Sequence, residues 1–228
     1  MASSRIAIIL AEHGRPSPDV TQYRETWPEA EIQVYHGNDL PDTPELDPSS
    51  PRYGWRMNDY FKVRKMLDSG ADIAMCFDSD MWIVDREAAR TLVPLADNFG
   101  LCLPLNPRYS VRRDVIDGAD VSYQTANVCL DDSPVLGYGP GVNCSPIAIN
   151  LSNKRAVAVA EQYCFRMLQE PTRGPLAWWQ AMWDESWAPL ILPPQYCVCE
   201  RHIGIGGEII LHHGHEAVKR HYGYRRVS

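Results

Sequence analysis

The segment Ile73–Val84, IAMCFDSDMWIV, constrains this chain most: an apolar run, two carboxylates around a serine, and then apolar residues again. An apolar stretch this continuous suits a strand buried on both faces, as in a parallel sheet covered by helices. Ligands of open α/β sheets meet the carboxyl ends of such strands, which is where Asp78 and Asp80 stand. A plain surface turn is rarely flanked so tightly by core residues, so the pair reads as a functional strand end. Carboxylate oxygens suit Mg²⁺ or Mn²⁺, which keep positions open for water or phosphate oxygens when one or two such groups hold them. Asp78, Ser79 and Asp80 are therefore expected to grip a metal–diphosphate.

The flanking segments read as alternating strands and helices. Arg5 to Leu10 is a buried strand with a Gly- and Pro-containing loop after it, Asp19 to Trp27 a helix, and Glu31 to His36 an alternating strand. Gly37 to Gly54 is rich in Pro, Asp and Ser and is expected to be a long loop. Asn58 to Ser69 has helical spacing, with Gly70 at its C-cap, and leads into the acidic strand. Asp85 to Asn98 is expected to be one helix capped by Asp85, followed by a strand over Gly100 to Leu105. Tyr109 to Gly141 is irregular, a place for loops that contact an acceptor. A strand over Ser145 to Leu151, a helix over Lys154 to Leu168, a tryptophan-rich segment over Leu176 to Trp187 and a last strand over Ile209 to Leu211 complete the pattern. The fold class is α/β, a single domain with a mostly parallel central sheet flanked by helices.

Composition narrows the function classes. A 228-residue chain with 45% hydrophobic and 22% charged residues is ordinary for a folded domain. No stretch approaches membrane-spanning length and the opening apolar run is too short for a signal-peptide core, so no membrane insertion and a cytoplasmic location are expected. Seven cysteines, mostly inside apolar stretches, suggest no disulfide framework, and Cys197-x-Cys199 before His202 lacks the second pair of a zinc ribbon. The net charge of −7 makes the molecule as a whole a poor partner for nucleic acid. Lys219, Arg220, Arg225 and Arg226, interleaved with Tyr222 and Tyr224, nevertheless form a basic, aromatic tail suited to phosphates or bases.

In order along the chain, IAIILAEHG, GWRMNDYFKVRKML, Asp78-Ser79-Asp80, NCSPIAIN, Trp183-Asp184-Glu185 and HHGHEAVK form a set of landmarks that resembles the GT-A-type glycosyltransferases that use nucleotide-diphospho-sugars. The resemblance implies a nucleotide-sugar-binding half over residues 1–105, an acceptor and catalytic half over 106–218, and the basic tail over 219–228. It places Ala11 and Glu12 near the nucleobase, Arg56, Lys62 and Lys219 near the diphosphate, and Asn143 near the sugar. Mn²⁺ or Mg²⁺ would sit on Asp78, Asp80 and a late histidine. Adjacent strand residues point to opposite faces, so only one of His212 and His213 can enter the site, and His213 is the first choice. Asp184 or Glu185 would orient or activate the acceptor.

The implied activity is transfer of a sugar from a nucleotide-diphosphate donor, with a UDP-sugar favoured, to a hydroxyl of a saccharide or of a modified DNA base. Two other readings use the same fold: a nucleotidyltransferase, which usually has a more glycine-rich and basic first loop than Ala11 to Pro18, and a non-catalytic nucleotide-sugar-binding module. The residues do not set the donor, the acceptor, the stereochemical outcome or the oligomeric state.

Overall fold

A computed structural model describes residues 4–11, 18–36, 48–49, 53–110, 140–169, 174–199 and 207–214. Its strands are β1 (Ile6–Ala11), β2 (Glu31–Tyr35), β3 (Ile73–Asp78), β4 (Met81–Ile83), β5 (Leu101–Ser110), β6 (Pro140–Val142), β7 (Ile147–Asn150), β8 (Leu190–Leu192) and β9 (Leu211–His213). The helices are α1 (Val20–Thr26), α2 (Tyr53–Asp68), α3 (Arg86–Arg90), α4 (Leu92–Phe99), α5 (Lys154–Gln169) and α6 (Gly174–Asp184). The main sheet has the order β2-β1-β3-β7-β5-β6, with β8 also paired to β5. β1, β2 and β3 are parallel, β7 runs against both β3 and β5, and β8 is parallel to β5. The sheet is mixed and mostly parallel, with helices on both faces, as expected.

Alternation along the central strands divides the core. Ile9 of β1 with Ala74 and Cys76 of β3 face one layer, where α2, α5 and α6 contribute Val63, Met66, Val159, Tyr163 and Trp178. Ile6, Ile8 and Leu10 with Ile73, Met75 and Phe77 face the other, against Tyr23, Trp27, Leu92 and Ala96 of the α1, α3 and α4 side. Phe77 is fully buried between the rings of Tyr23 and Trp27, at centroid distances of 5.0 and 5.6 Å. This strand-to-strand period of two carries Asp78 to the α2 face, beyond Ala74 and Cys76.

Several boundaries differ from the sequence reading. The helix expected over Asp85 to Asn98 is two helices joined at Thr91. Pro94 supplies no amide for the carbonyl of Arg90 and its ring crowds that carbonyl, which separates the two segments. α2 begins at Tyr53, so Gly54 belongs to a helix rather than to the end of a loop. β4, β6 and β8 are too short, at 3 residues each, for alternation to reveal them. β9 begins at Leu211 and carries the histidines within it. Gly100 closes α4 at φ 83°, and a Cβ there would meet the Asn153 side chain at 2.4 Å. Among the described residues no helix is long and apolar enough to cross a membrane.

Candidate functional site

The site begins where β3 ends. Ala11 and Asp78 are register partners at the ends of the parallel strands β1 and β3. The main-chain N–H of Asp78 donates to Ser145 Oγ at 2.8 Å, fixing the direction in which the carboxylate leaves the sheet. Ser145 lies in the short segment before β7 and is fully buried, a support that the sequence reading passed over. Two residues on, β4 pairs antiparallel with β9, setting Met81 opposite His213 and Trp82 opposite His212. That pairing closes the acidic turn beneath the late histidines.

His213 Nδ1 lies 3.3 Å from Asp80 Oδ1 and 3.9 Å from Asp78 Oδ2. One ligand atom from each of Asp78, Asp80 and His213 falls within 4.8 Å of the others. Adjacent on β9, His212 instead turns its Nδ1 to the carbonyl of His213 at 2.7 Å, the opposite orientation that a strand imposes. Gly214 donates its N–H to the Asp80 carbonyl at 2.6 Å. A Cβ on Gly214 would stand 2.7 Å from Trp82 Nε1 and 3.0 Å from that carbonyl, so the approach of β9 to the acidic turn requires glycine. Burial disfavours the imidazolium of His213, but Cys197, Asp80 and Asp78 outweigh it and raise the pKa well above the ordinary histidine value.

Lys62 is fully buried on α2. Its Nζ donates to Asp78 Oδ1, forms a second ion pair with Asp59 Oδ1 at 3.4 Å, and donates to the Cys144 carbonyl at 3.4 Å. An ammonium has three donors, and all three have partners inside the protein. Burial alone would lower its pKa; Asp78 and Asp59 reverse the direction and keep the group charged. Lys62, expected near a diphosphate, here holds one oxygen of Asp78 while the other faces His213. Asp59, one helical turn before Lys62, escaped the sequence reading although its spacing is that of a helical ion pair.

The donor set fits a divalent cation. Two carboxylates and an imidazole suit Mn²⁺, and oxygen ligands also suit Mg²⁺. Beside them, Ser79 is buried and its Oγ has no hydrogen-bond partner among the described residues.

Other candidates are placed differently. Arg56 Nη2 donates to the Met167 carbonyl at 2.6 Å, so this buried guanidinium clamps the last turn of α5. Asn143 Nδ2 donates to Cys197 Sγ at 3.0 Å. Cys197 is fully buried and also meets His213 Nε2 at 3.5 Å. Asp184 closes α6 at its C-terminus, where Asp184 Oδ2 accepts from Gln162 at 2.8 Å and from Arg166 at 2.9 and 2.7 Å. The opposite end of α6 meets the cluster's neighbours: a Cβ on Gly174 would lie 2.9 Å from Asp59 Oδ2. Ten residues of helix, roughly 15 Å, thus separate Asp184 and Glu185 from the end near Lys62. The structure does not bring the acidic pair to the cluster. Glu12 and Lys219 lie outside the described residues.

No family model matches the chain, and no curated protein sequence matches it. Solved structures do. The apo form of mouse xyloside xylosyltransferase 1 matches with a TM-score of 0.51 at 11% identity, over 93% of this chain and 98% of that one. A glycosyltransferase involved in glycosylation of the major capsid of PBCV-1 matches with a TM-score of 0.51 at 8% identity, over 96% and 98%. At these identities the likeness is one of fold, and that fold is GT-A.

Proposed function

We propose that this GT-A chain is a glycosyltransferase that binds a nucleotide-diphospho-sugar through a divalent cation held by Asp78, Asp80 and His213. The observation that carries the proposal is the convergence of those three side chains at the carboxyl edge of β3, where the fold presents ligands. A cation there supplies Lewis-acid stabilisation of the charge that builds on a leaving diphosphate. The chain's own residues prepare the place. Lys62 holds Asp78 in one orientation and offsets part of the negative charge that two neighbouring carboxylates create. The main chain of Ala11, level with Asp78, and the hydroxyl of Ser79 are the proposed contacts to the nucleotide. Arg56 supports the α2 wall of the site through Met167, and Lys219 keeps a diphosphate-binding role as an expectation from its sequence position.

For the donor we favour a UDP-sugar with Mn²⁺, and for the acceptor a saccharide or other hydroxyl. A DNA-base acceptor rests on the basic residues 219–228 alone. Asp184 and Glu185 are not assigned as the acceptor-side base, since a base must reach the proton it removes and Asp184 is engaged by α5. A panel of nucleotide sugars, assayed for thermal shift and for donor hydrolysis with Mn²⁺, Mg²⁺ or chelator, tests the proposal. Cation-dependent stabilisation with slow release of the nucleoside diphosphate supports it. Pyrophosphate release from a nucleoside triphosphate and sugar phosphate would replace it with a nucleotidyltransferase, and binding without turnover towards any acceptor with a binding module.

A further inference from the structure

We infer that Cys197 is a positioning residue that holds the His213 imidazole with Nδ1 turned to the cation, an inference that rests on the metal site proposed above. The two ring nitrogens of His213 face different chemistry. Nδ1 looks towards Asp80 and Asp78, and Nε2 towards Cys197 Sγ at 3.5 Å. A neutral imidazole has one N–H and one lone pair, so the group that accepts from one nitrogen decides which nitrogen can bind a metal. A sulfur that accepts from Nε2–H leaves the Nδ1 lone pair directed at the carboxylates.

The sulfur is itself held in place. Cys197 is fully buried, and its N–H donates to the Pro194 carbonyl at 3.0 Å, closing the 3-10 turn Pro194–Tyr196. The next residue joins β9: Val198 N–H donates to Leu211 at 3.0 Å, and His213 N–H donates to Val198 at 2.8 Å. Cys197 and His213 are therefore tied through the backbone as well as through their side chains. From the other side Asn143 Nδ2 donates to the sulfur at 3.0 Å, and Asn143 N–H donates to the Pro104 carbonyl at 2.9 Å. A sulfur that receives an amide donor is biased towards accepting rather than donating. The result is a chain of contacts from Asn143 through Cys197 and His213 to Asp80, joining the β6–β7 connection to the acidic turn. Partners of this kind fix the tautomer and ring orientation of a ligating histidine, and their loss costs about 10–100-fold in metal affinity.

The test is Mn²⁺ titration of the full chain, read by calorimetry and by the loss of the free-Mn²⁺ electron-spin signal. Cys197→Ala should weaken Mn²⁺ binding by about 10–100-fold, and Cys197→Ser, which keeps an acceptor, should recover most of it, with metal-free melting temperatures matched between the two. A nitrogen-15 spectrum of wild-type protein loaded with Mg²⁺ needs no variant, and should show the His213 proton on Nε2. Wild-type affinity in Cys197→Ala, or a proton on Nδ1 in the Mg²⁺ form, overturns the inference alone. Wild-type affinity in His213→Ala overturns the metal-site reading and this inference with it.

Discussion

At the scale of single residues, Asp78 and Asp80 look interchangeable in the sequence, and the structure separates them. Asp78 neutralises the fully buried Lys62, whereas Asp80 faces His213 without that duty. Asp80→Asn is therefore expected to abolish metal binding with a smaller loss of metal-free stability, on the order of 1–2 kcal/mol, through its contact with the His213 imidazolium. Asp78→Asn should lose metal binding and also about 3 kcal/mol, because it leaves a buried ammonium short of its partner. Urea unfolding without metal, beside Mn²⁺ titration, distinguishes the two variants. The proton on His213 gives a second expectation. Its folded pKa is raised, so its contribution to stability is complete below about pH 6.5 and fades as pH climbs through the folded value. Without metal, the stability difference between wild type and His213→Ala should accordingly be larger at pH 6 than at pH 9. Cation and proton compete for the same nitrogen, so Mn²⁺ affinity should move the other way and rise with pH. Much of this cluster was readable beforehand. Carboxylates that end an apolar strand announce themselves, and strand alternation separates His213 from His212. The partners of Lys62 were not, because its ammonium meets Asp78 across the boundary between α2 and β3, where no local pattern records the contact.

Among the secondary-structure elements, the pairing of β4 with β9 positions the histidine, and Gly214 sets how closely the two approach. Gly214→Ala forces a methyl group against the Asp80 carbonyl and Trp82. It should destabilise by about 1–3 kcal/mol and weaken Mn²⁺ binding, while an exposed substitution elsewhere on the acidic-turn side does neither. α6 gives the contrasting case. Asp184→Asn breaks its contacts with Arg166 and Gln162 at a partly exposed site. A loss of up to about 1 kcal/mol is expected, with kcat within a few-fold of wild type. A loss of turnover near a hundredfold with donor affinity unchanged would return Asp184 to the acceptor side. The structure sets Asp184 at the C-terminal end of α6. The signal that α6 begins ten residues earlier is Gly174-Pro175, a proline in the first turn where its missing N–H costs nothing. Tryptophan density obscured that signal, since Trp178 packs on Tyr163 at 4.0 Å for the sake of the core rather than of a ligand.

For the whole molecule, the α/β layering was legible because β1 and β3 are apolar on both faces, as strands buried between two layers must be. The position of β7 between β3 and β5, antiparallel to both, was not, since register across the sheet depends on pairings distant in sequence. That insertion matters to the site: it brings Ser145 and Cys144 against Asp78 and Lys62, so the sheet topology itself builds the support for the acidic turn. The central claim is that this support exists to hold a cation and, through it, a nucleoside diphosphate. Calorimetric titration with UDP, in Mn²⁺ and again in chelator, tests it most directly. The account predicts binding in Mn²⁺ that chelator abolishes and that Asp80→Asn removes without unfolding the protein. UDP binding of equal strength in chelator and in Asp80→Asn, or no binding of UDP or any other nucleoside diphosphate with Mn²⁺ present, would contradict it.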